Sequence, residues 1–161
     1  MSLKVGDKEV RLMEVGPAHT RGDTLVYIPS DKTIFTGDIL FIGGHPIVWA
    51  GPVSNWIRAC DIILGLDVET IVPGHGPITD KSGVNEVKSY FEYIYAEARK
   101  RYEAGMSSLE AAKDIPLGRF SSWTESDRMA VNVNSIYREL SGEQERPTTL
   151  SLFGQMAVLA L

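Results

Sequence analysis

Three side chains able to hold a metal ion stand in similar company along this chain. His19 lies in Gly16-Pro17-Ala18-His19-Thr20, Asp38 ends Phe35-Thr36-Gly37-Asp38, and His75 lies in Val72-Pro73-Gly74-His75-Gly76. Each follows strand-type apolar residues and sits on a glycine-containing turn. There the backbone leaves the sheet and carries a side chain toward a common centre. Taken singly, these are a loop histidine, a turn aspartate and a histidine between two glycines. Taken together they are three metal-competent side chains that their turns could carry to one place. Two imidazoles and a carboxylate suit zinc, but iron or manganese as well, so the donor types do not select one metal. Around them, Asp23 is expected to be a turn residue or to support a ligand from behind. His45, in Phe41-Ile42-Gly43-Gly44-His45-Pro46, and Trp49, on the Gly/Pro-rich loop that follows, are candidates for a substrate pocket.

Such turns need strands to end on and helices to back the strands. Residues 9–15, 24–28, 33–35 and 70–72 are strand-like, and Pro29-Ser30-Asp31-Lys32 suggests a hairpin between the second and third. Trp56, Ile57, Cys60, Ile63 and Leu64 mark one face of a helix that Ser54 would cap and Gly65 would stop. A long helix is expected over 82–104, ended by Gly105, and a short one over 107–112. Thr124-Glu125-Ser126-Asp127 matches a capping box opening a last helix to about residue 140. Residues 1–7 read as a leader, 8–142 as the folded unit, and 143–161 as a linker and apolar tail without a clear period.

The three motifs, in order, resemble the second half of the metallo-β-lactamase superfamily, in particular its glyoxalase II-like zinc hydrolases. The resemblance covers residues 8–142. It implies an α/β protein in which this chain supplies one βα half of an αββα sandwich, a mixed sheet with helices on one face. It also implies two Zn2+ ions (Fe or Mn as alternatives), with His19 on one, His75 on the other, and Asp38 bridging both as the catalytic carboxylate. The reaction it implies is attack of a metal-bound hydroxide on an ester, thioester or amide. The superfamily's first-half signature, His-x-His-x-Asp-His, is absent from these residues. The chain alone is therefore expected to bind metal weakly or not at all and to be inactive. An iron-dependent oxidoreductase or dioxygenase on the same fold, or a non-catalytic fragment, is the alternative.

Composition narrows the partners. The 161 residues carry a net charge of −5 with 43% hydrophobic and 23% charged residues, as in a globular domain. That balance argues against nucleic acid, which favours a basic face, and no apolar run approaches a membrane span. A small-molecule substrate and a cytoplasmic location are expected. The single cysteine, Cys60, excludes an intrachain disulfide and reads as a buried hydrophobe. With the other half of the sandwich missing, the inner sheet face is expected to be uncovered and to drive self-association, as a homodimer.

Overall fold

A computed structural model of the chain describes residues 1–143 and 145–160. Five strands form one sheet in sequence order: β1 (Ser2–Val5), β2 (Lys8–Glu14), β3 (Thr24–Ile28), β4 (Thr33–Phe41) and β5 (Thr70–His75). The first four pair antiparallel, and β5 joins β4 in parallel. That parallel pair needs a crossover, which α1 (Val53–Gly65) supplies. After β5 the chain is helical: α2 (Lys81–Glu103), α3 (Ser108–Asp114), α4 (Met129–Ser141) and α5 (Thr149–Leu159). This is the expected α/β half, a mixed sheet with a helical layer on one face. No helix among the described residues is long and apolar enough to cross a membrane.

Alternation along the strands explains both faces. Leu25 and Tyr27 of β3, Ile34 of β4 and Ile71 of β5 are buried with Trp56, Cys60 and Ile63 of α1 and with Val87, Phe91 and Ile94 of α2. Burial pushes the Cys60 thiol up to about 12, so it stays protonated, an inert part of the core. The opposite face carries an apolar row in which Leu12 pairs with Val26, Val26 with Phe35, and Phe35 with Val72. No helix among the described residues covers that row. Phe35 is 42% exposed, and Leu3 and Val5 at the edge are 46% and 62% exposed.

Several elements differ from the sequence reading. Residues 2–5 of the expected leader pair with β2 as a strand. β4 runs on through Gly37 and Asp38 to Phe41, because register shifts against β5 absorb the irregular residues without ending the strand. Ser54 does not cap α1, whose N-cap is Pro52. The capping box at Thr124 does not form either. Glu125 is left-handed at φ 62, and a 3₁₀ turn at Ser126–Arg128 leads into α4. The box that does form belongs to α3, between Ser107 and Glu110. The apolar tail is helical, capped by Thr148, and Leu152 joins Ile47 and Val131 in a second small core.

Candidate metal centre

His19, Asp38 and His75 arrive at one place by different routes: His19 from the loop between β2 and β3, Asp38 from within β4, and His75 from the end of β5. Asp38 sits past the shift that pairs Gly37 with Pro73, and His75 closes the neighbouring strand β5 opposite Phe41. Two glycines make that approach feasible. A Cβ on Gly74 would lie 2.6 Å from Asp38 Oδ1, and Gly76, at φ +90, would bring one to 2.3 Å from the Ile42 carbonyl oxygen. His75 stacks flat on Phe41, with ring centroids 4.2 Å apart, and its carbonyl accepts from the Ile42 N–H.

The two imidazoles face different oxygens of one carboxylate. His19 Nε2 is 3.4 Å from Asp38 Oδ2, and His75 Nε2 is 3.1 Å from Asp38 Oδ1. No set of three or more His, Cys, Asp and Glu among the described residues closes on a single point as a cage for one ion. The arrangement is two pairs sharing an aspartate. On the His19 side the hydrogen-bonding is unequal. Its Nδ1 lies 2.8 Å from the Ile47 carbonyl, so the Nδ1–H donates there and Nε2 turns a lone pair toward a carboxylate oxygen. Two acceptors facing each other call for a positive charge between them, a proton or a cation. This donor set therefore fits the metal that the fold implies.

The His19 turn is pinned from behind by Asp23, whose carboxylate accepts from the Ala18 and Thr20 N–H groups and from the Thr20 hydroxyl. Asn55 of α1 donates to the Val15 and Pro17 carbonyls. The Ile47 carbonyl is itself held in place from the helical layer. Asn132 of α4 donates to the Pro46 carbonyl and accepts from the Val48 N–H, bracketing Ile47. Asn132 also donates to the Tyr90 hydroxyl of α2.

His45 is not in the pocket. It is fully buried, with Nδ1 3.0 Å from the Tyr90 hydroxyl and Nε2 3.3 Å from the Phe120 carbonyl. Its loop turns inward because those two partners and Asn132 together satisfy its polar groups inside the core. Burial holds the imidazole below its ordinary value of 6.5, with the Arg128 charge adding to the effect and the Phe120 bond and Asp127 opposing it. The folded state thus resists a proton that the unfolded chain accepts near pH 6.5. Stability is expected to be full above that pH and to fall as pH drops through 6.5, by up to about 1.4 kcal/mol per unit from this residue. Thermal melts between pH 7.5 and 5.0 measure this. His45→Gln should melt lower at neutral pH but lose part of the acid slope, and an unchanged slope would contradict the assignment.

Trp49 does line a cavity with His19 and His75. About 430 Å³ in volume, it is walled by His19, Phe41, Ile47, Trp49, His75, Glu125, Asp127, Arg128, Phe153 and Met156. Arg128 lies over the Phe41 ring at 5.4 Å, bonded to Glu125 and to the His45 carbonyl. Phe153 and Met156 carry no sequence signal for this site, because the tail shows no period that would place it there, and Arg128 reaches it only through the 3₁₀ turn before α4.

Residues 2–75, which contain His19, Asp38 and His75, match the metallo-beta-lactamase superfamily. The alpha subunit of 2,4-dinitroanisole O-demethylase from Nocardioides sp. (strain JS1661) is 32% identical over 76 residues, 47% of this chain and 23% of that protein. Acyl-coenzyme A thioesterase MBLAC2 of Homo sapiens is 28% identical over 79 residues, 45% of this chain and 28% of that protein. The chain spans less than a third of either relative's length. The sec-alkylsulfatase Pisa1 from Pseudomonas sp. superposes with a TM-score of 0.66 at 13% identity, over 92% of this chain and 27% of that one. A metallo-beta-lactamase family protein from Thermus thermophilus gives 0.66 at 18% identity, over 92% and 50%. The chain has the metallo-beta-lactamase fold, as a fragment-sized unit of one sheet and one helical layer.

Proposed function

We propose that this chain is the His19–Asp38–His75 half of a two-metal hydrolase acting on an ester, thioester or amide of a small molecule. The observation that carries the reading is that each imidazole faces a different oxygen of Asp38. His19 and Asp38 Oδ2 would hold one cation, and His75 and Asp38 Oδ1 the other. Bound there, zinc, or iron or manganese in its place, would supply Lewis acidity and an activated water. The chain's own residues aim the donors. Ile47 fixes the His19 tautomer, Phe41 supports the His75 ring, and Asp23 holds the turn that carries His19.

Three side chains cannot complete two sites of four or more ligands, so the remaining donors come from outside these residues. By itself the 161-residue chain is therefore proposed to hold metal weakly and to hydrolyse nothing at a useful rate. The thioesterase among its relatives supports the reaction class.

The test is elemental analysis of the full-length protein, in which this chain would be joined to a His-x-His-x-Asp-His half, together with assays of acyl thioester hydrolysis and oxygen consumption. Two equivalents of zinc with thioester or ester hydrolysis are expected. Iron with oxygen consumption and no hydrolysis would replace this reading with the oxidoreductase.

A further inference from the structure

The helix α5 is apolar on nearly every side, and its Phe153 is left 52% exposed. An exposed ring of that size is more than solubility favours, and its position gives a reason. Phe153 meets Trp49 edge to face at 5.7 Å, and together with Met156 and Ile47 the two rings form one wall of the cavity that His19 and His75 open into. Arg146 fixes the Trp49 side by donating to the Trp49 and Ala50 carbonyls. The cavity is thus apolar along α5, Trp49 and Ile47, and polar at its other side, where His19, His75, Glu125, Asp127 and Arg128 line it.

We infer that this cavity takes the apolar acyl or alkyl arm of the substrate, and that Trp49, Phe153 and Met156 set the length of arm accepted. The inference rests on the hydrolase reading for where the reacting bond lies, directly beside His19 and His75. A volume of about 430 Å³ holds an unbranched chain of several carbons against three flexible or flat side chains.

Titrating the 161-residue chain with straight-chain primary alcohols from ethanol to octanol, followed by tryptophan fluorescence, tests this without any metal. Trp49→Phe assigns the signal against the buried Trp56 and the part-buried Trp123. Affinity is expected to rise about fourfold per added methylene and then level off where the cavity ends. Phe153→Ala combined with Met156→Ala should flatten the series. Met156→Phe, which keeps an apolar side chain at that position, should make it level off at a shorter alcohol. Leu150→Ala, at an exposed position of the same helix, should leave it unchanged. Equal affinity for ethanol and octanol, or a chain-length series unaltered by the changes at Phe153 and Met156, overturns the inference. The two readings fail separately. Chain-length-dependent binding in a full-length protein that hydrolyses no ester or thioester would discard the hydrolase and keep the pocket. Hydrolysis with equal kcat/KM for acetyl and octanoyl thioesters would do the reverse.

Discussion

Asp38→Ala in the full-length protein is expected to lower kcat/KM for hydrolysis by about 10³-fold or more, roughly 4 kcal/mol of barrier, and to remove tightly held metal from both positions. Both imidazoles point at this one carboxylate, so its loss leaves neither with its partner. Asp38→Asn distinguishes charge from shape. The amide keeps one acceptor and turns an NH2 group toward the other imidazole, so at most one equivalent of metal should survive dialysis. The side chain is 42% exposed and anchors nothing in the core, so the thermal midpoint should barely move. Steady-state kinetics with elemental analysis decide the matter. A variant that keeps two equivalents of metal and a rate within tenfold of wild type would show that Asp38 bridges nothing.

The second large effect is on association. The row of Leu12, Val26, Phe35 and Val72 lies on the sheet face that no described helix covers. Covering such side chains is worth about 1.5–3 kcal/mol each when they pass from fully wet to fully buried. These are already partly shielded, and a second copy laid on the same row would cover what remains exposed. The 161-residue chain is expected to elute from gel filtration as a dimer by light scattering, and Phe35→Glu combined with Leu12→Lys should make it monomeric, with a melting point that no longer rises with protein concentration. A wild-type monomer that melts cooperatively and binds no hydrophobic dye would remove the case for pairing through this face.

How much of this could be read in advance depended on the kind of signal involved. β3 was legible to the residue because Leu25 and Tyr27 alternate cleanly with Val26 and Ile28. β4 was cut short at Phe35 because Gly37 and Asp38 look like a turn, whereas pairing with β5 carries the strand past them. Local capping rules failed at Thr124, where the bridge between Gly44 and Thr124 ties that segment to the His45 loop instead. The residue types of the candidate site were legible, but the turn expected at Asp38 is strand; the structure brings His19, Asp38 and His75 together, and their service as ligands stands as proposed. The support behind them was not legible. A backbone carbonyl such as Ile47 has no signature in sequence, and Tyr90 and Asn132 look like ordinary helix residues until α2 and α4 pack against the loop. His45 shows the limit of composition. A histidine in a Gly/Pro loop suggests a cleft, yet polar partners drawn from distant elements are enough to keep it inside.

The division of labour around the cavity has an evolutionary consequence. The bonds that orient His19 run from Asp23, Asn55, Ile47 and Asn132, and none of them starts from α5. The wall that α5 contributes is made of side-chain bulk alone, on a helix reached through a short connection after α4. Mutations at Phe153 and Met156 can therefore accumulate without re-aiming a single donor atom. A lineage carrying this fold can change what the cavity accepts by drift within α5 while its chemistry stays as it was.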